Sequence, residues 1–270
     1  MKIVFLGGGN MAAALIGGML ERGFDAHELS VVELAPERRE WLVGQFGVGV
    51  TGVADDVVRE ADAVVLAVKP QQMREAVEPL AGRLERALVV SVAAGLRIGD
   101  LSRWLGGFER IVRAMPNTPA LVGAGVSGLC AGPGVDDEDR ELAGRMLASV
   151  GSVVWVEDEA RMDAVTAVSG SGPAYVFHFI EALEAAALGR GFDADTARRL
   201  AIDTVLGAAK LASESDDGPD VLRQKVTSKG GTTAAALAVF DEGGLMALVD
   251  RAVAAAEARG RALGEELGRG

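Results

Sequence analysis

The chain opens with a strand pattern that runs directly into glycines and then into a helix pattern. Residues 2–6 read KIVFL, residues 7–9 are glycines, and NMAAALIGGMLERG follows over 10–23. Gly7 permits a tight turn, Gly9 lets a pyrophosphate approach the backbone, and Ala12 allows the helix to pack closely on the strand. This order predicts a dinucleotide-binding unit, and a glycine turn with a purely structural role is the alternative.

The same alternation of strand and helix continues through the first half of the chain. Apolar runs lie at 29–33, 61–68, 87–93, 110–115 and 152–156, with helical stretches at 36–46 and 136–151. Such alternation is typical of an α/β fold, and it predicts a Rossmann-type, doubly wound parallel sheet over residues 1–157.

A different pattern begins after residue 157. Helical patterns cover 162–191, 193–215 and 245–267, with Asp193 as the expected N-cap of the second, and no strand pattern recurs. The helices are rich in Ala and Leu on much of their circumference, so they need a covering partner. We therefore predict an all-helical dimerisation domain over 158–270, with a bundle folded back on itself as the alternative.

Composition narrows the class of partners. The net charge is −12, there is one cysteine, Cys130, and glycines interrupt the apolar stretches. These features argue against a nucleic-acid surface, a disulfide framework and a membrane span, and they predict a cytoplasmic protein that acts on a small molecule. The two histidines form no cluster with cysteine, so we predict no metal site.

The end of the second strand bears on the choice of cofactor. Glu33 lies there, twenty-one residues after Ala12. A carboxylate at this position accepts hydrogen bonds from ribose hydroxyls and repels a 2′-phosphate, which favours NAD. Arg38 and Arg39 follow closely and could offset that repulsion, so NADP stays open.

Further cofactor contacts are predicted at the carboxyl ends of the strands, where open α/β sheets bind ligands. Lys69 would meet a cofactor phosphate or a substrate acid, with a plain surface lysine as the alternative. The small residues 93–95 would let a flat nicotinamide ring pack closely, and Asn117 could face its carboxamide. The predicted cofactor set is Leu6, Gly7, Gly8, Gly9, Asn10, Met11, Glu33, Ala67, Val68, Lys69, Pro70, Ala93, Ala94, Gly95 and Asn117.

A second glycine loop precedes a helix near the end of the chain, in VTSKGGTTAAALAVFDEGG over 226–244. Glycines there allow close approach of the backbone, and the start of the helix offers unpaired N–H groups to an anion. The two threonines could donate hydroxyls to a ligand or simply cap the helix.

Five motifs together carry a resemblance to a known family. FLGGGNMA, AVKPQ, RAMPNTPA, VSGSGPAYVF and VTSKGGTTAAALAVF occur in order along the whole chain. In this respect the chain resembles pyrroline-5-carboxylate reductase, the last enzyme of proline biosynthesis. The resemblance implies hydride transfer from NADPH or NADH to the imine carbon of 1-pyrroline-5-carboxylate, and a dimer interlocked through the helical domain, with a decamer as a further assembly.

The resemblance also implies residue roles in the second glycine loop. Thr233 would be the catalytic residue, with its hydroxyl facing the ring nitrogen, and the substrate carboxylate would bind to a set made of Ser228, Gly230, Gly231, Thr232 and Thr233. Two departures stand out: Lys229 replaces a common proline, and Ala54 replaces an asparagine that often contacts the cofactor.

Other functional classes stay open at the level of the sequence. A related imine or β-hydroxyacid reductase is one, although β-hydroxyacid enzymes usually carry a lysine early in the helical domain, and ARMDAVTAVSGSG has none. A cofactor-sensing protein without turnover is another, although it would not need the loop at 227–233.

Overall fold

The computed structural model describes residues 1–84 and 86–269. The chain forms two compact units. Unit 1 comprises Met1–Ser171 and Ala255–Gly270, and unit 2 comprises Gly172–Ala254.

Unit 1 is built on an eight-stranded sheet in the order β3-β2-β1-β4-β5-β6-β7-β8. Strands β1 to β6 are parallel, β7 is antiparallel to β6, and β8 is parallel to β7. The parallel part has the strand order of a dinucleotide-binding fold. The strands are β1 Ile3–Leu6, β2 Leu29–Val32, β3 Gly49–Thr51, β4 Ala63–Leu66, β5 Leu88–Ser91, β6 Ile111–Met115, β7 Gly125–Ala131 and β8 Gly151–Trp155.

Helices cover both faces of this sheet, as the predicted doubly wound fold requires. Successive strand residues point to opposite faces, so Ile3 and Phe5 enter one buried cluster whereas Val4 and Leu6 enter the other. The α-helices of the first 165 residues are α1 Asn10–Glu21, α2 Pro36–Phe46, α3 Asp55–Arg59, α4 Met73–Val77, α5 Ile98–Trp104, α6 Asp137–Ala148 and α7 Met162–Val165.

The connection after β8 packs on the sheet. Met162 is fully buried. A Cβ at Gly128 would lie 2.5 Å from the Val165 side chain, and one at Gly170 would lie 2.6 Å from the Met115 side chain. By compactness, residues 158–171 therefore go with unit 1, so the compact boundary falls fourteen residues after the domain boundary that we propose from the sequence at 157/158.

Unit 2 is all helical. It holds α8 Gly172–Leu188, α9 Ala194–Glu214, α10 Pro219–Lys225, α11 Thr232–Glu242 and the first ten residues of α12 Leu245–Gly268. The side chain of Asp193 caps α9 as predicted, since it accepts hydrogen bonds from the Thr196 N–H at 3.0 Å and the Thr196 hydroxyl at 2.8 Å.

The helices of unit 2 bury little apolar surface within one chain. Among its described residues only Ala197 and Ala201 are buried, while Phe177 is 60%, Val239 68% and Met246 78% exposed. Apolar helix faces of this extent call for a covering partner.

In the described part of the chain, no single helix is long and apolar enough to cross a membrane. The bent pair α11 and α12, at 50° to each other, passes that test only when taken together and by length and composition alone.

Candidate active site

Backbone hydrogen bonds continue past the ends of the parallel strands and hold the loops there in register. The Gly7 N–H donates to the Val32 carbonyl at 2.9 Å, the Ala67 N–H to the Leu6 carbonyl at 2.9 Å, and the Val92 N–H to the Leu66 carbonyl at 3.1 Å. The loops that follow β1, β2, β4 and β5 therefore share one edge of the sheet. This is the edge at which dinucleotides bind in such folds.

Each glycine of the loop 7–9 meets a different constraint. Gly7 has φ +98°, and a Cβ there would lie 2.9 Å from the Ala67 carbonyl oxygen. A Cβ at Gly8 would lie 2.5 Å from Leu42 Cδ1, whereas a Cβ at Gly9 would meet no atom within 4 Å. The backbone around Gly7 therefore requires glycine there, a side chain at Gly8 would displace the buried Leu42, and Gly9 leaves open space for a ligand.

The start of α1 offers unpaired donors to that space. Its N-cap is Gly9, and in the described chain no side chain caps it and no acidic residue lies in its first turn. The first hydrogen bond of the helix runs from the Ala13 N–H to the Gly9 carbonyl at 2.9 Å. The N–H groups before Ala13 therefore have no partner within the helix, and they lie at the positive end of the helix dipole. A pyrophosphate fits this arrangement.

Glu33 braces the glycine loop. Its carboxylate accepts the Gly8 N–H at 2.9 Å and the Ala35 N–H at 2.9 Å. From α2, Arg38 Nε donates to the Gly8 carbonyl at 2.6 Å, and its guanidinium stacks 3.9 Å from the centre of the Trp41 ring. Both sides of Gly8 are therefore held by side chains, a function of Glu33 and Arg38 that the sequence did not indicate.

Arg39 is also engaged locally. Its Nη1 donates to the carbonyls of Glu33 at 2.9 Å and Leu34 at 2.8 Å. Arg39 thus orders the turn between β2 and α2.

The other predicted cofactor residues of unit 1 differ in how accessible they are. Asn10, Lys69 and Ala94 are exposed. The half-buried ones are Met11, Ala67, Val68, Pro70 and Gly95, and Leu6, Ala93 and Asn117 are buried. A direct contact with a ligand is therefore easiest for the exposed and half-buried members.

Asn117 has two protein partners. Its Oδ1 accepts the Val126 N–H at 3.0 Å, and its Nδ2 donates to the Ser169 carbonyl at 3.0 Å. Ser169 lies in a π-helical turn, Thr166–Gly170, a feature often found at functional sites. The predicted contact with a carboxamide would use the remaining amide hydrogen of Asn117 or the second lone pair of its Oδ1.

Arg113 forms a buried charge cluster that the sequence did not reveal. It is 4% exposed, and it donates to Glu159 at 3.1 Å and to Asp163 at 3.4 Å. The same Glu159 oxygen accepts the Ile98 N–H at 2.8 Å, which ties the start of α5 to residues 61 positions away. Cys130, which pairs with Arg113 across β6 and β7, is buried, and this burial raises the pKa of its thiol.

In unit 2, the second glycine loop has the form of a turn followed by an uncapped helix. Gly230 has φ +74°, and the Gly231 N–H donates to the Ser228 carbonyl at 3.1 Å. Gly231 is the N-cap of α11, and none of the described side chains caps this helix. Thr232 and Thr233 thus occupy the first two helical positions, so neither acts as the N-cap, which was the simpler alternative for them.

The N–H groups available for an anion are consequently fewer than the sequence indicated. The Ala235 N–H donates to the Gly231 carbonyl at 3.1 Å and begins the helical ladder. Thr232, Thr233 and Ala234 precede that first bond, whereas the Gly231 N–H is already used in the turn. Thr232 is exposed and Thr233 is half-buried.

Comparison with known proteins identifies the family. A family model described as pyrroline-5-carboxylate reductase dimerisation matches residues 159–263, and one described as NADP oxidoreductase, coenzyme F420-dependent, matches residues 2–95. The chain is 45% identical to the pyrroline-5-carboxylate reductase of Pseudomonas aeruginosa over 268 residues, which is 99% of this chain and 98% of that one. The chain belongs to the pyrroline-5-carboxylate reductase family.

Solved structures agree with this assignment over the whole length. A pyrroline-5-carboxylate reductase from Coxiella burnetii is 40% identical with a TM-score of 0.93, covering 97% of this chain and 98% of that one. Plasmodium falciparum pyrroline carboxylate reductase with NADP bound is 29% identical with a TM-score of 0.86, covering 98% of both chains. The fold of a pyrroline-5-carboxylate reductase thus extends over both units of the chain.

Proposed function

We propose that this chain reduces 1-pyrroline-5-carboxylate to L-proline with NADH or NADPH, and that unit 1 holds the cofactor while the loop 228–233 of unit 2 holds the substrate. Membership of the reductase family supports the reaction. One observation supports the division of labour most strongly. The helices α1 and α11 each follow a glycine N-cap, and they have neither a side-chain cap among the described residues nor an acidic residue in the first turn. The helix α10 also follows a glycine, but Asp220 lies in its first turn.

On the cofactor side, we propose that the N–H groups at the start of α1 bind the pyrophosphate. Gly9 supports this because a side chain there would occupy the open space in front of the helix. Glu33 would accept ribose hydroxyls with the lone pairs that its bonds to Gly8 and Ala35 leave over. The exposed Ala94 and half-buried Gly95 would lie along the nicotinamide half, with Lys69 beside a phosphate.

On the substrate side, we propose that the carboxylate binds at the start of α11. The donors would be the N–H groups of Thr232 and Thr233 and the Ser228 hydroxyl, with the positive end of the helix dipole adding to the attraction. Gly230 would supply close backbone approach, since its positive φ and open surroundings suit a glycine. Gly231 would shape the turn through its bond to Ser228.

Thr233 would act on the ring nitrogen. When bound, the reduced nicotinamide would supply the hydride that adds to the imine carbon, which becomes C5 of proline. The Thr233 hydroxyl would orient the ring through its nitrogen, which takes up a proton from this hydroxyl, from water or before binding as an iminium. A hydroxyl is a weak acid, so orientation should contribute more than acid catalysis.

We further propose that the helical domain, residues 158–270, is where two chains associate. The family model over 159–263 and the exposed apolar side chains of unit 2 support a dimer. A decamer and a cytoplasmic location are finer proposals that rest on the resemblance and on the single cysteine.

The experiment that tests the function is steady-state oxidation of NADPH and NADH by the full chain with 1-pyrroline-5-carboxylate. We expect turnover with the imine and formation of L-proline. NADPH or NADH oxidation that needs another imine instead, or a semialdehyde whose reduction gives a β-hydroxyacid, would move the chain to a related reductase. Binding of the nucleotide without any turnover would indicate a cofactor sensor.

A further inference from the structure

A glycine of α12 lies against the loop that follows β5. Gly264 is buried, and a Cβ there would lie only 2.7 Å from the Gly95 carbonyl oxygen. On the other side, a Cβ at Gly95 would lie 3.5 Å from Leu267 Cδ1 and 3.8 Å from the Gly264 Cα. The helix and the loop therefore touch backbone to backbone, which only glycine at 264 permits.

Both the helix and the loop are anchored close to this contact. Arg103 Nη2 donates to the Gly268 carbonyl at 2.5 Å, and Leu267 packs against the cluster on that face of the sheet. The loop has fixed points at its two ends, where the Val92 N–H donates to the Leu66 carbonyl and the Ile98 N–H donates to Glu159. Between these ends Gly95 has φ +82°, and it contacts Gly264 and Leu267.

Glycine at position 264 costs helix stability, but a larger residue there would disturb the loop. Glycine inside a helix is unfavourable relative to alanine, and Gly260, one turn earlier, would carry a Cβ with no atom within 4 Å. An alanine at 264, in contrast, would press on a backbone oxygen, which cannot rotate away as a side chain can. The loop 93–95 would have to shift.

We propose that Gly264 is a positioning residue of the reductase, because it seats the loop after β5 and so sets where Ala94 and Gly95 stand beside the nicotinamide half of the cofactor. This inference rests on the proposed function of residues 93–95. Residue 264 lies 169 positions from Gly95 along the chain, in the last turns of a helix that begins in unit 2.

The test compares Gly264→Ala with Gly260→Ala. The second variant makes the same change on the same helix, at a position where the added Cβ meets no atom within 4 Å. Affinity for NADPH and for ADP-ribose is measured by titration, because ADP-ribose binds through the glycine loop but lacks the nicotinamide. For Gly264→Ala we expect the Kd of NADPH to rise roughly tenfold and kcat to fall at saturating cofactor, with the Kd of ADP-ribose unchanged. Gly260→Ala should match the wild type in all three quantities.

A third variant separates positioning from loss of stability. Met146→Ala removes buried packing from α6, which lies against α1 and β8. It should lower Tm while leaving the ratio of the two Kd values unchanged. If Gly264→Ala weakened the binding of NADPH and ADP-ribose equally, or changed the binding of neither, Gly264 would be structural only and the proposal would be wrong. If the wild-type chain bound NADPH but did not reduce 1-pyrroline-5-carboxylate, the proposed function would fail while this comparison of affinities still stood.

Discussion

The two glycine loops of the chain make the same local structure by different means. Both precede a helix whose N-cap is glycine and which no described side chain caps. The loop before α1 is held from several sides, by Glu33, by Arg38 and by the backbone of Ala67. The loop before α11 is held by its own turn, through the bond from the Gly231 N–H to the Ser228 carbonyl.

This difference follows from what surrounds each loop. The first loop continues a central strand of the sheet, so neighbouring strands extend their hydrogen bonds past it. The second loop lies in a unit where few residues are buried, and Ser228, Lys229 and Gly230 are exposed. The cofactor loop is thus pre-organised by the fold, whereas the substrate loop depends on local geometry. Substitutions in the first loop should therefore change Tm and the Kd of the cofactor, whereas substitutions in the second loop should change mainly kcat.

The largest effect is expected at Gly7. In Gly7→Val the side chain would meet the Ala67 carbonyl oxygen and would need a positive φ, a strain on the order of 1–3 kcal/mol before the clash is counted. We expect a fall in Tm and a rise in the Kd of NADPH of roughly a hundredfold or more, measured by melting and by titration.

Gly9→Ala separates an effect on cofactor binding from an effect on stability. Its Cβ would meet no protein atom, so Tm should stay at the wild-type value, while the methyl group enters the space proposed for the pyrophosphate. A rise in Kd of about tenfold is expected. If Gly9→Ala bound NADPH as tightly as the wild type, the pyrophosphate would not lie in front of Gly9.

The second prediction concerns Thr233 in the weaker loop. Thr233→Ala keeps the N–H groups at the start of α11 and removes only the hydroxyl. We expect kcat to fall roughly ten- to a thousandfold with a modest rise in KM, since one oriented hydrogen bond is lost in the transition state. Because Thr233 is not the N-cap, the melting temperature should change little.

Thr233→Ser retains the hydroxyl and should keep most of the activity. Thr232→Ala tests the register of the loop. If Thr232→Ala lost activity and Thr233→Ala did not, the catalytic hydroxyl would belong to Thr232. If neither variant mattered, the ring nitrogen would take its proton from solvent.

The sequence predicted those elements of the fold whose signal is local. The strands β1, β2, β4, β5, β6 and β8 each lie within or next to a predicted apolar run. Two strands were missed for physical reasons. β3 is only three residues long, and β7 reads GVSGLCA, in which Gly128 interrupts the apolar pattern because Val165 packs on its backbone.

The site was less predictable, because its supporting contacts join residues far apart in the chain. Glycines before a helix can be seen in the sequence, but the pairing of Glu33 with Gly8 spans 25 residues, and that of Glu159 with Ile98 spans 61. The sequence indicated Glu33 as a ribose ligand only. The resemblance also placed Gly231 in the substrate-binding set, and no one-dimensional signal shows that the turn uses the Gly231 N–H.

The third prediction separates the two functions of Glu33. Glu33→Ser removes the acceptor for Gly8 and the charge together. We expect the Kd of NADH to rise roughly fivefold, because a hydrogen bond to a charged acceptor is lost. The preference for NADPH over NADH should rise by about tenfold as repulsion of the 2′-phosphate ends.

Glu33→Gln divides these effects, since it keeps one acceptor oxygen and removes the charge. It should shift the preference in the same direction while nearly retaining the affinity for NADH. Loss of NADH affinity in Glu33→Gln as large as in Glu33→Ser would mean that the brace needs the full carboxylate. An unchanged preference in both variants would show that Glu33 does not face the ribose.

The smallest effect is expected at Asp193, which tests how far unit 2 relies on local bonds. The backbone N–H of Thr196, and secondly its hydroxyl, lower the pKa of the Asp193 carboxyl below its usual value. A carboxyl with a lowered folded-state pKa stabilises the protein at pH values above its unfolded pKa, and the contribution is lost as the pH falls through the folded pKa. Asp193→Ala should therefore lower Tm by roughly 2 °C at pH 7, and the difference should shrink toward pH 3 and below.

Asp193→Asn retains a capping oxygen but no titrating group, so its Tm should stay near that of the wild type at pH 7 and should depend less on pH in the acid range. A difference between wild type and Asp193→Ala that stayed constant down to pH 2 would show that the charge of Asp193 contributes nothing, and that the cap acts through the geometry of its hydrogen bonds alone.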